Sequence, residues 1–119
     1  MGDRANFGFK DSKDNIVFLY GHWAGHRMLE NLADAVSAAE PRWQDPSYAL
    51  RIIIDQLTKD SRDSETGHGI FLAKHEDLAF LDYPVIVDLQ AWWIQDESGE
   101  HQWSDFINYH SPKVLTEQI

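Results

Sequence analysis

Apolar and polar residues at the start of the chain follow the two-residue period of β-strands. In Ala5–Lys10, Phe7 and Phe9 fall on one face, and Ile16–Tyr20 is a short, continuously apolar run. Residues 11–15 between them, Asp-Ser-Lys-Asp-Asn, are typical of a turn. Because successive side chains of a strand point to opposite faces, this pattern predicts an antiparallel hairpin.

From His26 onward the period becomes helical. The first helix is predicted to end near Glu40, because Pro41 disfavours helical geometry in the residue before it. A second helix has a clear start signal, with Asp45 as the cap and Pro46 in the first helical position. The predicted buried stripes are Leu29, Leu32, Val36 and Ala39 in the first helix and Ala49, Ile52, Ile53 and Leu57 in the second.

The second half of the chain is dominated by β patterns. A polar loop at 59–69 leads to a predicted strand at Ile70–Lys74, followed by a connector at 75–83. Alternation from Pro84 to Gln95 predicts one long strand. A turn at 96–99 then precedes a short strand at His101–Trp103 and a terminal helical turn at Trp103–Tyr109, with Ser104 as its cap.

The predicted order of elements is ββααβββ. Strands that are grouped, rather than alternating with helices, favour an α+β fold of two layers: an antiparallel sheet with both helices packed on one face. Residues 1–111 are expected to form this single domain. Residues 112–119, which begin at Pro112, are expected to be a C-terminal tail.

The composition narrows the class of protein. The chain has 119 residues, 43% of them hydrophobic, which suits one globular domain with its own core. It has no cysteine, so disulfides, thiolate zinc ligands and thiol nucleophiles are excluded. Because no apolar run is long enough for a membrane span or a signal peptide, we expect a cytoplasmic protein. The net charge of −10 disfavours binding to long nucleic acids but leaves room for one small anion in a locally basic pocket.

The densest group of functional side chains lies where the second strand breaks and the first helix begins. His22, Trp23 and Arg27 are interspersed with Gly21 and Gly25. Glycines let the backbone approach a ligand closely, a helix N-terminus favours an anion, and Arg27 and Trp23 could supply hydrogen bonds and a stacking face. The alternative is a plain strand-to-helix turn with Trp23 in the core.

Further candidates follow on the second helix and in the polar loop. Tyr48 and Arg51 are neighbours on one helical face, and Thr66 and His68 lie in a glycine-rich loop able to close over a ligand. Guanidinium groups beside aromatic rings suit a phosphorylated nucleotide. The alternatives are ordinary ion pairs, Arg42 with Asp45 and Arg51 with Asp55, and a solvated loop.

Catalysis and metal binding have weaker signals. The two glycines argue against the helical geometry that would bring His22 and His26 together on a metal, and no His-Glu-x-x-His motif occurs. No Gly-x-Ser-x-Gly motif marks a nucleophilic serine. We therefore expect no cofactor, no metal and no enzyme activity. The main alternative is a hydrolase that uses His22 or His68 as general acid or base.

Several segments resemble a group of short, mostly uncharacterised bacteriophage proteins. The shared features are a Met-Gly-x-Arg-Ala-Asn start, a Tyr-x-His-Trp-x-Gly segment at 20–25 and an arginine, Arg51, on the second helix; the resemblance covers roughly residues 1–95. Phage proteins of this size include sponges that sequester nucleotide immune signals, such as cyclic dinucleotides or cyclic ADP-ribose variants. The resemblance therefore implies an anti-defence binding protein acting in the host cytoplasm.

Together these observations predict a non-enzymatic, homo-oligomeric phage protein that binds a small phosphorylated nucleotide signal and withholds it from a host effector. The predicted ligand-binding residues are His22, Trp23, Arg27, Tyr48, Arg51, Thr66 and His68. Besides the hydrolase, a further alternative is an acidic interaction protein or nucleic-acid mimic whose functional part is the −10 surface. No membrane partner and no direct binding to nucleic acid are expected.

Overall fold

The computed structural model describes residues 5–11, 15–21, 27–74 and 84–111, which form six strands and three helices. The α+β class is therefore confirmed. Short 3₁₀ turns at Glu40–Arg42 and Lys59–Ser61 follow the first two helices. The elements are β1 (Ala5–Lys10), β2 (Asn15–Gly21), α1 (Met28–Ala38), α2 (Pro46–Thr58), β3 (His68–Lys74), β4 (Val85–Asp88), β5 (Trp93–Asp96), β6 (Gly99–Gln102) and α3 (Trp103–His110).

The six strands form one mixed sheet in the order β3-β2-β1-β4-β5-β6. The predicted hairpin is confirmed, with Phe7 opposite Leu19 in the antiparallel β1–β2 pair. The prediction of a wholly antiparallel sheet is wrong, because β4 runs parallel to β1, with Phe7 opposite Val85. The reason is that β3 pairs with the free edge of β2. The next strand, β4, therefore pairs with the free edge of β1 and runs parallel to it.

The long strand predicted from Pro84 to Gln95 is also wrong, because the chain reverses within it. β4 ends at Asp88, whose Oδ1 accepts hydrogen bonds from the N–H groups of Gln90 (2.9 Å) and Ala91 (2.7 Å). The turn ends at Trp92, which has a positive φ of 61°. The turn also changes which residues share a face. In one continuous strand Val87 and Ile94 would point to opposite faces, but here they are paired across β4 and β5 and point to the same face. The order is thus ββααββββα rather than ββααβββ.

All three helices pack on the same face of the sheet. α1 contacts both α2 and α3, and the core between helices and sheet includes Phe7, Phe9 and Leu19 from the first hairpin. The prediction that the first two helices share one face is confirmed, and α3 adds a third, with Phe106 and Ile107 buried. Five of the eight predicted stripe residues are fully buried: Leu32, Val36, Ala39, Ala49 and Ile53.

Three tryptophans of the described chain pack together here: Trp103 is buried in the core, and the partly buried Trp43 and Trp92 pack against it. The ring of Trp103 lies 5.2 Å from that of Trp43 and 6.4 Å from that of Trp92, measured between centroids. Each indole N–H donates to a backbone carbonyl: Trp43 to Val36 (2.8 Å), Trp92 to Trp43 (3.2 Å) and Trp103 to Trp93 (3.3 Å). The cluster therefore joins the loop between α1 and α2 to the β4–β5 turn and α3.

The opposite face of the central strands is buried as well. Ile16, Phe18 and Ile86 form a small apolar cluster there, beside Gly8. A Cβ at Gly8 would lie 2.8 Å from Cδ1 of Ile86 and 2.9 Å from Cε1 of Phe18, so this close packing needs a glycine. In the described part of the chain, no helix has the length and apolar character to cross a membrane.

Candidate functional site

The predicted site residues before α1 are only partly within the described chain. His22 and Trp23 lie outside the described residues. Arg27 directly precedes α1, and its guanidinium lies 3.2 Å from the Glu30 carboxylate, with both side chains about half exposed. The first turn of α1 therefore presents an ion pair to solvent rather than an unpaired cation.

Tyr48 and Arg51 lie on the outer part of α2. The guanidinium of Arg42 stands over the ring of Tyr48 at 5.2 Å and also pairs with Asp45 at 3.4 Å, as the alternative interpretation of Arg42 predicted. Arg51 lines an open depression of about 500 Å³. The carboxylate of Asp55 lies 2.8 Å from Arg62. The arginine that contacts the aromatic ring of Tyr48 on α2 is thus Arg42.

Thr66 and His68 lie at the end of the polar loop and the start of β3. The hydroxyl oxygen of Ser64 accepts hydrogen bonds from the N–H groups of Thr66 (3.3 Å) and Gly67 (3.1 Å), which fixes the turn. The Ser61 hydroxyl hydrogen-bonds Nδ1 of His68, and partial burial lowers the pKa of this imidazole. The hydrogen bond to Ser61 thus holds the His68 ring against the 3₁₀ turn that follows α2.

A larger cavity of about 840 Å³ opens between α1, the β5–β6 hairpin and α3. We call it the α1–α3 cavity. Of the predicted site residues it contains Arg27, and it shares no described lining residue with the depression that holds Arg51; Thr66 and His68 line neither. Its lining is Arg27, Met28, Leu29, Glu30, Val85, Asp96, Glu97, Ser98, His101, Asp105, Phe106, Tyr109 and His110.

The hairpin side of the α1–α3 cavity is held by a compact hydrogen-bond network. The Ser98 hydroxyl donates to Oδ1 of Asp96 at 2.6 Å and lies 2.8 Å from Nε2 of His101. The Ser98 N–H also donates to Asp96 at 2.8 Å. Partial burial alone would raise the pKa of Asp96, but the hydrogen bonds from Ser98 and the nearby His101 together lower it. The ionised carboxylate of Asp96 therefore accepts the hydrogen bonds that stabilise the β5–β6 turn.

This trio does not have the geometry of a catalytic triad. In such a triad the imidazole contacts serine through one ring nitrogen and aspartate through the other. Here Ser98 and Asp96 both face Nε2 of His101, at 2.8 Å and 3.4 Å. The arrangement therefore orders the hairpin but does not prepare Ser98 as a nucleophile.

The α3 side of the α1–α3 cavity is aromatic. The ring of His110 lies 4.5 Å from that of Phe106 and 4.8 Å from that of Tyr109, and Tyr109 is 78% exposed. Burial lowers the pKa of His110, and His101 acts in the same direction, whereas Asp96 and Glu30 oppose them. The lining thus combines an accessible phenol ring with an imidazole that favours its neutral form.

Carboxylates dominate the charge of the α1–α3 cavity. Its lining carries one guanidinium, from Arg27, against the carboxylates of Glu30, Asp96, Glu97 and Asp105. The net charge of the described lining is −3 when both imidazoles are neutral and −1 when both are protonated. Within the described ranges, no three histidine or acidic side chains are placed to hold a metal ion. The cavity offers hydrogen-bond acceptors, one paired arginine and an aromatic surface.

Sequence reasoning missed most of this cavity. The sequence pattern places Asp96 in a turn, His101 in a short strand and Tyr109 at the end of a helical turn, and it marks none of them as a site residue. A signal was present on α3, since Phe106, Tyr109 and His110 are three and four residues apart and share one helical face. Nothing local indicated that this face would meet the start of α1, some 80 residues away.

Comparisons with protein-family models, with curated proteins and with solved structures found no match to this chain.

Proposed function

We propose that the protein is a non-enzymatic binding protein that holds a small ligand in the α1–α3 cavity. The observation that carries the proposal is this cavity of about 840 Å³, whose lining combines apolar residues such as Met28, Leu29 and Phe106 with several polar and charged ones. Ligand pockets have volumes of about 300–1,000 Å³ and the same mixture of apolar walls and few polar groups. A mononucleotide or a somewhat larger ligand fits this volume.

The specific ligand class that we propose is a nucleotide signal, which a phage protein would sequester from a host effector. A phosphate would take the place of Glu30 as the partner of Arg27. The exposed ring of Tyr109 would stack on a base, and the carboxylates of Asp96 and Asp105 would accept hydrogen bonds from ribose hydroxyls. This role would place the protein in the host cytoplasm. Both the phage origin and the immune role stem from the sequence resemblance.

The charge of the cavity restricts which nucleotide is favoured. Each added phosphate brings negative charge close to Glu30, Asp96, Glu97 and Asp105, and Arg27 is already paired with Glu30. We therefore expect a ligand with few phosphates to bind better than a polyphosphate.

A second candidate follows directly from the same carboxylates. Their excess over Arg27 favours a cationic ligand, in line with the alternative of an acidic interaction protein. Of the two histidines that the hydrolase alternative uses, His68 does not line the α1–α3 cavity and bonds Ser61 instead, and His22 lies outside the described residues.

Calorimetric titration of the purified protein tests the proposal. The panel contains mononucleotides, cyclic dinucleotides, ADP-ribose and its cyclic derivatives, and an organic amine as the cationic probe. Binding of a phosphorylated nucleotide at tens of micromolar or tighter is expected, and its absence across the panel would refute the proposal. Recovery of the intact ligand after heat denaturation separates a binder from a hydrolase.

The Glu30→Gln variant determines the sign of the ligand's charge. It removes one carboxylate and releases Arg27, so an anionic ligand should bind several times more tightly and a cation more weakly. Glu40→Gln makes the same charge change at an exposed position outside the cavity lining and is the control. A Tyr109→Ala variant should lose about fivefold to 150-fold in affinity, which corresponds to the roughly 1–3 kcal/mol of a base–aromatic stack.

A further inference from the structure

The two edges of the sheet differ sharply. β6 has only four residues, includes Glu100 and leads directly into α3. β3 has seven residues, and among them Leu72 is 82% exposed and Ile70 59% exposed. Proteins protect edge strands by shortness, charge or a covering element, because an open edge pairs with other chains. β6 is protected in this way, whereas β3 is long and apolar.

Both faces of β3 carry apolar side chains. Ile70 and Leu72 lie opposite Leu19 and Val17 of β2, so they extend the sheet face on which the helices pack. Phe71 lies on the other face, where its ring stacks on Phe18 with 5.2 Å between centroids and an angle of 11°. The exposed strand is therefore held in a fixed position by its inner neighbour.

The charge of β3 also sets it apart from the rest of the chain. Its seven residues include His68 and Lys74 but no aspartate or glutamate, whereas the whole chain has a net charge of −10. Two copies of an acidic protein repel each other wherever their carboxylates meet. An acid-free strand is the place where two copies can approach with little repulsion, so charge favours a second copy as the occupant.

We propose that two copies of the protein pair through β3, antiparallel and about a two-fold axis at Phe71, to form one continuous sheet. In this register Ile70 lies opposite Leu72 of the partner subunit, and Leu72 opposite the partner subunit's Ile70. The contact is self-complementary, as a two-fold interface requires. It joins apolar side chains on both faces and pairs the outer backbone groups of the edge strand. Ligand binding plays no part in it.

Sedimentation equilibrium of the full chain tests the interface. We expect a dimer, and a Leu72→Lys variant should weaken dimerisation about a hundredfold, roughly tenfold for each of two symmetric positions. Leu72 is almost fully exposed, so this substitution leaves the folded protomer intact. Tyr48→Lys, which changes an exposed side chain on α2, should leave the dimer unchanged. A monomer at about 100 μM, or a dimer insensitive to Leu72→Lys, would overturn the proposal.

Cysteine cross-linking tests the register. Because the chain has no cysteine, Phe71→Cys introduces one thiol per protomer. At the two-fold axis two such Cβ atoms would be about 4.5–5.5 Å apart, close to disulfide range. Ala73→Cys, on the same face, is the control, since its two copies would be four residues out of register, about 13 Å apart. Dimer formed through position 71 alone supports the register. Cross-linking through 73, or through neither, overturns it.

Discussion

The side chain of Asp88 holds the turn on which the second half of the sheet depends. It is only 7% exposed, and its Oδ1 accepts the N–H groups of Gln90 at 2.9 Å and Ala91 at 2.7 Å. These bonds close the reversal between β4 and β5, which sets the register of Val87 against Ile94. We predict that Asp88→Ala destabilises the protein far more than loss of a surface carboxylate.

The size of the effect follows from those two bonds. A hydrogen bond to a charged group contributes about 1.5–3 kcal/mol. Gln90 and Ala91 are exposed, so water partly replaces the lost acceptor, and the expected loss for Asp88→Ala is about 2–4 kcal/mol in the free energy of unfolding. Asp88→Asn keeps an acceptor oxygen but loses the charge, and its expected loss is about 1–2 kcal/mol. In a domain of this size each kcal/mol lowers Tm by roughly 3–6 °C.

Urea denaturation followed by tryptophan fluorescence measures these losses. The control is Asp55→Ala, which removes a carboxylate whose partner, Arg62, lies 2.8 Å away on the surface. Since exposed ion pairs contribute about 0.2–1 kcal/mol, this variant should be close to the unmodified protein. If Asp88→Ala lost no more stability than Asp55→Ala, the hydrogen bonds of Asp88 would not be what holds the β4–β5 turn.

Two further predictions concern packing and pH. Gly8→Ala should destabilise the protein by about 1–3 kcal/mol in urea, because its Cβ would lie 2.8 Å from Cδ1 of Ile86; an Ile86→Val background, which lacks that atom, should recover part of the loss. Burial lowers the pKa of His110, so the unfolded chain binds the proton first as pH falls, and stability should decline below about pH 6.5. His110→Gln should reduce this decline in urea midpoints between pH 7.5 and 5.5, and an equal decline in the variant would contradict the assignment.

Local patterns predicted much of the fold. The alternation of Phe7 and Phe9 located the first hairpin, and Pro46 located the start of α2 to the residue. These signals are reliable because the responsible interactions lie within a few residues of one another. The four strands of the second half were harder, since the alternation continues from Val85 through Ile94 while the chain reverses at Asp88. A period of two residues specifies strand geometry but not where a strand turns back.

The candidate site shows the same division. The residues around Arg27 in the sequence predict that it binds a ligand, and Arg27 does line the α1–α3 cavity. Its companions Asp96, His101 and Tyr109 were not selected, because they lie on the hairpin and helix that follow the β4–β5 turn. Residues that far apart in sequence meet only when strand order and helix packing are settled, and no local period encodes that order.

The sequence by itself determined the α+β class, the hairpin, the two long helices and the acidic balance of the chain. The tertiary structure decided the parallel pairing of β1 with β4, the cavity between α1 and α3, and the exposure of β3 at the sheet edge. The first set depends on propensities and periods that act over a few residues. The second depends on which strand fills which open edge, a choice made by the whole chain at once.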